Sequence, residues 1–562
     1  MKKMLSLFLA LAMIFALAAC GGGSTAPASD APAADAPAAD AAPAADAPAA
    51  EAPAGGSVLR IGLDNEPSTM DPTQQADGQG SMFVSMSLFD GLWKMAASGD
   101  QIMMVAESYE IIDDAVEEEP ADEAGDASGE ASGSMEPMGK SLVVHLKDGL
   151  TFSNGDPITA EDVIWSYQFA ASGTAGAMRL SNVAVNLAYA EDDLTVAFPL
   201  YAESPTLIED LSLIYILDKA WCEQGEDNIN IHPVSSGAYE LGSWESGMGI
   251  TLLKRADYYD AANVAYDEVD ITFIASEDTR LLAFENGDFD IAYLSNSFSI
   301  DEINAGAVDG ASMSMIPVQS LTGFQMNTID FDVFADQNVR QAIGYAIDVP
   351  TLVQAICGSA FTVADSILPS SNWAYVSCGN YPQDIEKAKS LLAEAGYDES
   401  NPLTFTCTIS DQGYNYQLAV AAQDMLKQAG INMEVETKDG ATLMSMILGN
   451  EIQFSINSYM GSYDPAGVVN SRRPGLPAHL SAYADGELEA LLEEACNSMD
   501  GEDVRGPLWK ELQERTYEYA NFIPLYESNV YYAVSSAVDG ASLPGSSLAD
   551  GYLFADYIKP AA

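Results

Sequence analysis

The chain has 562 residues, enough for roughly three to four domain-sized units, and 48% of them are hydrophobic, ample for sizeable cores. Acidic residues number 84 against 22 basic ones, a net charge of −62. That balance excludes a nucleic-acid binder, which needs a basic surface to neutralise phosphates, and docking on anionic lipid through a polybasic patch. Three histidines and six cysteines are too few for a large metal array or a disulfide-dense scaffold.

The first element is a leader, expected over 1–19. Lys2 and Lys3 precede a nearly continuous apolar stretch over 4–19, too short for a comfortable membrane span. It ends Leu17-Ala18-Ala19-Cys20-Gly21, which resembles the bacterial lipobox, in which the cysteine thiol takes a diacylglyceryl group and becomes the mature N-terminus. An ordinary signal peptide with a chance cysteine is the alternative. Residues 20–56 repeat Ala, Pro and Asp without one large apolar side chain, so they read as a solvated tether. Such a tether reaches about 35 Å as a coil and roughly 100 Å when extended. No later apolar run is long enough to cross a bilayer.

A second low-complexity stretch, 113–139, carries Glu117-Glu118-Glu119 and no basic residue. It reads as a disordered surface insertion, because it lacks the Asp-x-Asp-x-Asp-Gly spacing of a calcium loop. The body that follows alternates strands and helices. Thr159 with Asp162 predicts a capping box for a helix carrying Val163, Trp165 and Tyr167. A strand at 269–274, a helix from Asp278 to Phe284 stopped by Gly287, and a strand at 289–294 come next. Asp384 caps a helix with Ile385, Ala388, Leu391, Leu392 and Ala395 inside and Gly396 at its end. A strand at 403–409, a helix at 417–429 ended by Gly430, and a period-two strand at 431–436 form a strand-helix-strand unit of a parallel sheet. The fold class is therefore α/β.

No nucleophile elbow, Walker loop or dinucleotide fingerprint occurs. His145, His232 and His479 lie far apart and read as structural or surface residues. This favours binding without chemistry. No cofactor and no metal are expected.

Lys140 to Trp165, which includes Thr151-Phe152-Ser153-Asn154-Gly155-Asp156-Pro157, closely resembles the signature segment of the family 5 extracellular solute-binding proteins. These are the dipeptide, oligopeptide and nickel receptors of ABC importers. Further landmarks are Glu66-Pro67-Ser68-Thr69-Met70-Asp71-Pro72, Phe89-Asp90-Gly91-Leu92, Val105-Ala106-Glu107-Ser108, Ser236-Gly237-Ala238-Tyr239, Val339-Arg340-Gln341-Ala342 and the segments 381–397 and 459–469. The resemblance spans nearly all of 57–562, departing at 113–139 and between Leu368 and Tyr381.

The resemblance implies a two-lobed clamshell of the periplasmic-binding-protein type (type II, cluster C-like) with an extra subdomain on the first lobe. Lobe I would be 57–318 plus 523–562, with the subdomain at 91–232, and lobe II 319–522. The hinge crossings would fall at Val318-Gln319-Ser320 and Phe522-Ile523-Pro524. The protein would be a monomer, anchored through Cys20 at the extracellular face or in a periplasm, delivering solute to an ABC permease. In the peptide receptors a second-lobe aspartate pairs with the ligand's α-ammonium, and Asp464 stands in the matching motif; a helix cap before Pro465 is its alternative role. Tyr459 and Tyr463 would give aromatic walls. Met326 and Asn327 would face the cleft from the second lobe's first strand, or brace it. Asn65, Glu66 and Met70 would close the other side, and Trp373 would be a lid or simple packing. Arg472 and Arg473 are candidates for a ligand carboxylate. An oligosaccharide, an amino-acid derivative or a nickel chelate remains open as ligand. So do a secreted peptidase and a structural surface lipoprotein as rival classes. Setting Cys20 aside, Cys222, Cys357, Cys378, Cys407 and Cys496 are left. Cys357 and Cys378 flank a loop and are candidates for a bridge, with free buried thiols the alternative.

Overall fold

The computed structural model describes residues 57–74, 78–113, 136–411, 413–459, 462–469, 472, 480–540, 543, 545 and 551–562. The expected leader, Cys20, the tether, most of the acidic insertion, His479 and Arg473 fall outside these residues.

Two long strands, Ala311–Met326 and Phe522–Ser535, run antiparallel and belong to both halves of one eleven-stranded sheet. On one side Phe522–Ser535 pairs with Ile291–Leu294, and the sheet continues through Val58–Leu63, Glu268–Phe273, Gly249–Lys254 and Tyr239–Glu245. On the other side Ala311–Met326 pairs with Phe454–Tyr459, followed by Thr404–Ser410 and Asn432–Lys438. The apolar side chains divide in the same way. Leu59, Ile61, Ile271, Ile291 and Val530 share one core, and Phe324, Phe405, Phe454, Ile523 and Leu525 share another. This is the two-lobed α/β architecture expected.

The register between the long strands breaks between Pro317 and Leu321. Pro317 lies opposite Asn529 and Leu321 opposite Glu527, so Val318, Gln319 and Ser320 stand against Ser528 alone. Val318-Gln319-Ser320, one of the two expected crossing positions, is the bulged segment. The other, Phe522-Ile523-Pro524, lies in a paired stretch. Phe522 to Glu527 still pairs with Leu321 to Gln325, and Ile523 and Leu525 fill the second-lobe core.

The local rules that set the helices are visible. Asp162 Oδ2 accepts from the Thr159 amide at 3.0 Å and its hydroxyl at 2.7 Å, closing the expected box at the start of Ala160–Ser172. Asp384 accepts from the Lys387 amide at 2.9 Å and caps Ile385–Glu394, and Gly396 ends that segment at φ 88°. Helix Asn415–Gln428 buries Leu418, Ala419, Ala422 and Leu426, and connects the parallel strands Thr404–Ser410 and Asn432–Lys438 as predicted. Each of its two leucines contributes about 2 kcal/mol of apolar burial.

Several landmark residues are scaffolding. Ser236 Oγ accepts from the Asp90 amide at 3.0 Å and donates to Ile216, while a side chain at Gly237 would strike the Leu88 backbone at 2.9 Å. Arg255 donates to the carbonyls of Ser235, Gly237 and Thr151. These bonds tie the first lobe to its subdomain, a four-stranded antiparallel sheet (Ala106–Asp113, Lys140–Leu146, Thr195–Pro199, Tyr189–Asp192) with its own core of Leu142, Val144, Phe152, Tyr167 and Phe198. Cys222, Cys357, Cys378 and Cys407 are free thiols. Cys357 is buried in the second-lobe core and Cys378 lies beside Ser366, so the bridge considered from sequence is not made.

Arg340 is 2% exposed, donates to the carbonyls of Phe334, Ala335 and Tyr519, and stacks 4.0 Å from the Tyr519 ring centroid. Arg340→Met strands one buried and two part-buried acceptors, so it is expected to lower stability by about 3 kcal/mol in urea unfolding.

Candidate functional site

A cleft of about 230 Å3 separates the first-lobe subdomain from the second lobe. Met95, Pro205, Ile208 and Glu209 line one side. Trp373, Tyr463, Asp464, Asp500, Gly501, Glu502 and Arg505 line the other. A larger, open groove of about 660 Å3 runs along the subdomain past His145 and Asp192. It is formed by one lobe alone, so lobe closure cannot enclose a solute there, and the interlobe cleft is the better candidate.

The second-lobe wall is built from two pieces. Strand Phe454–Tyr459 leads to the turn Ser462–Asp464, and helix Glu502–Tyr519 brings Arg505 on its first turn. Arg505 Nη1 donates to Asp464 Oδ2 at 2.6 Å and Nη2 to Oδ1 at 2.8 Å. Oδ1 also accepts from the Ala466 amide at 2.9 Å, so Asp464 does cap the turn of helix that Pro465 begins. A carboxylate offers four lone-pair positions, which leaves one, on Oδ2, for a further donor. The Arg505 guanidinium lies 5.5 Å from the Trp373 ring centroid.

The loop that carries Trp373 is pinned to the register break. Gln319 Nε2 donates to Ser371 at 3.1 Å, and Gln319 Oε1 accepts from Asn372 at 3.0 Å. Glu527, on the facing strand, accepts from the Ser370 amide at 2.9 Å. Asn372 then donates to the Tyr463 carbonyl at 3.0 Å. Hinge, Trp373 loop and Tyr463 turn thus form one hydrogen-bonded chain.

From the other lobe, Glu209 reaches the same turn. It accepts from Ser462 Oγ at 2.5 Å, the Tyr463 amide at 2.7 Å and the Asp464 amide at 3.3 Å. Burial pushes its carboxyl up to about 7, against the opposing pull of these hydrogen bonds.

Of the residues singled out from sequence, Trp373, Tyr463 and Asp464 meet in this cleft. The others sit elsewhere. Met70 and Met326 are fully buried in the first- and second-lobe cores. Asn327 accepts from the Ile329 and Asp330 amides and braces the turn after its strand. Asn65 holds the Gly80 amide and Ser81, and Glu66 accepts from Trp244 Nε1 and the Gly247 amide, all within the first lobe. Tyr459 is bonded to Ser481 inside the second lobe. Arg472 is fully buried, 4.9 Å from the Tyr459 and 4.4 Å from the Phe522 ring centroid, and does not line the cleft. Glu209 and Arg505 were not foreseen. The one available signal was an acid inside the apolar run Leu207-Ile208-Glu209-Asp210-Leu211.

Residues 105–471 match the family model for bacterial extracellular solute-binding proteins, family 5 (middle). The chain belongs to this family. A relative from Escherichia coli (strain K12), named "Probable deoxycholate-binding periplasmic protein YgiS", is 24% identical over 86% of this chain and 91% of its own. The dipeptide-binding protein DppE of Bacillus subtilis (strain 168) is 22% identical over 86% of this chain and 89% of its own. The structure of DppA from Helicobacter pylori, solved with the peptide STSA, covers 90% of this chain and 98% of its own with a TM-score of 0.67 and 21% identity. Family 5 proteins are the substrate-binding, non-enzymatic components of transporters.

Removing the Arg505 side chain leaves Asp464 in a closed wall without its cation. Arg505→Met is expected to cost about 3 kcal/mol in chemical denaturation, and the Asp464→Leu/Arg505→Met pair distinctly less than the sum of the single changes.

Proposed function

We propose that this family 5 protein captures short peptides outside the cell between its two lobes and hands them to the membrane subunits of an ABC permease, with a lipid on Cys20 holding it at the membrane. The observation that carries the peptide reading is the composition of the interlobe cleft. Trp373 and Tyr463 offer flat apolar surface for side chains and the peptide plane. Asp464 keeps one lone pair, and Asp500 and Glu502 stand beside it, against the single cation Arg505 among the described lining residues. A desolvated ammonium needs such a carboxylate, and Asp464 remains the proposed partner of the peptide N-terminus. The names of the dipeptide-binding relative and of the peptide-bound neighbour support the same class. The relative named for deoxycholate makes a non-peptide solute the second reading.

A thermal-shift screen of the purified full chain separates these readings. A ligand that binds only the folded state at 100 times its dissociation constant stabilises by about 2.7 kcal/mol. Di- to octapeptides are expected to raise Tm, and N-terminal acetylation to abolish the shift. Asp464→Asn is expected to weaken peptide binding about tenfold or more. A shift only with bile acids, sugars or metal chelates keeps the receptor fold and overturns the peptide class. Unchanged affinity in Asp464→Asn overturns the ammonium role.

A further inference from the structure

Glu209 is a buried acid that the capture of a solute does not by itself require. It sits on the short helix Leu207–Leu211 of the first-lobe subdomain and is 8% exposed. Its hydrogen-bond donors, Ser462 Oγ and the Tyr463 and Asp464 amides, all belong to the second lobe. The backbones also approach closely here. A side chain at Gly99 would overlap the Tyr463 ring, and one at Gly467 would meet Ser462 and Thr206. Because Asn372 links the Tyr463 carbonyl to Gln319 in the register break, whatever holds this turn is tied to the hinge.

We propose that Glu209 is a proton-linked latch between the lobes, engaging the Ser462–Asp464 turn when they shut and releasing it when they part. The donors and the acid lie on opposite lobes, so opening breaks all three bonds at once and returns the carboxyl to water. In water a glutamate titrates near 4.5, whereas in the shut form burial holds this one up at about 7. The groups around it add little to balance a negative charge. Asp210 is its neighbour on the same helix, and Asp464, Asp500 and Glu502 face it across the cleft, with the Tyr463 phenol at the rim. Arg505 is the cation on that wall, and both of its Nη atoms are committed to Asp464. A carboxyl whose titration point is higher in the shut form takes up a proton on closing. The shut form is therefore favoured fully below about 4.5, and the advantage is lost progressively as pH rises from there through about 7. Glutamine at this position is uncharged like the protonated acid and keeps one acceptor oxygen, enough for the Tyr463 amide, while its NH2 group can donate to Ser462 Oγ. Alanine removes the latch.

Amide hydrogen exchange of the full chain, followed on a segment spanning residues 459–464, reads the latch with no ligand present, so it stands or falls separately from the peptide reading. Rates are corrected for the intrinsic pH dependence of exchange. Wild-type protection of the Tyr463 and Asp464 amides is expected to rise roughly tenfold or more from about pH 8 to about pH 5.5. Glu209→Gln is expected to make protection of the Tyr463 amide flat across that range, and Glu209→Ala to lose it throughout. Protection of strand Thr404–Ser410 stays unchanged in both variants and reports an intact second lobe. Equal protection in wild type and Glu209→Ala, or a wild-type profile that is flat with pH, overturns the proposal.

Discussion

The two lobes share two strands, and the register between those strands governs the rest of the architecture. Where Val318, Gln319 and Ser320 stand against Ser528, the regular ladder is interrupted and the sheet has a place to bend. Bulges of this kind re-aim side chains, and here Gln319 is turned to the Ser371 and Asn372 side chains. Trp373 is thereby held at the mouth of the cleft by the same residue that interrupts the pairing. A hinge built this way transmits its position to the ligand wall through hydrogen bonds rather than through a loose linker.

The charge distribution follows a related logic. The chain has 22 basic residues against 84 acidic ones, and several of its buried arginines, Arg505 apart, serve the scaffold. Arg255 and Arg340 bind backbone carbonyls, and Arg280 donates to the carbonyls of Ile274 and Tyr293. Arg60 holds Asp290 between neighbouring strands of the first lobe. With the cations spent on structure, the cleft wall keeps a surplus of carboxylates. A positively charged group entering it exchanges water for Asp464, Asp500 and Glu502, whereas a carboxylate must compete with Asp464 for Arg505.

Much of this was legible in the sequence where the signal is local. Capping by Thr159–Asp162 and Asp384, the glycine stops at Gly287, Gly396 and Gly430, and the parallel unit around helix Asn415–Gln428 all depend on neighbours a few residues away. The site was harder to read. Glu209 and the turn it grips are separated by 253 to 255 residues, and no periodicity reports such a pairing. Glu66 and Met70 lie in a family landmark, and Asn65 and Asn327 follow strands expected at the cleft, yet their side chains are used to hold backbone or fill core. Motif identity marks where the fold needs a residue as readily as where a ligand does. Asp464 carries both meanings, since it caps Pro465–Val469 and still presents one oxygen lone pair to the cleft.

The account rests on enclosure of a solute between Trp373 on one lobe and the Met95–Ile208–Glu209 face of the other. The most direct check is a fluorescence titration of the full chain with a mixture of short peptides, run beside Trp373→Phe and paired with calorimetry. Capture in the cleft predicts a saturable emission change in the wild type that disappears in Trp373→Phe, while the variant still binds with measurable heat. An identical emission change in Trp373→Phe would contradict enclosure at this cleft and move the solute to another surface.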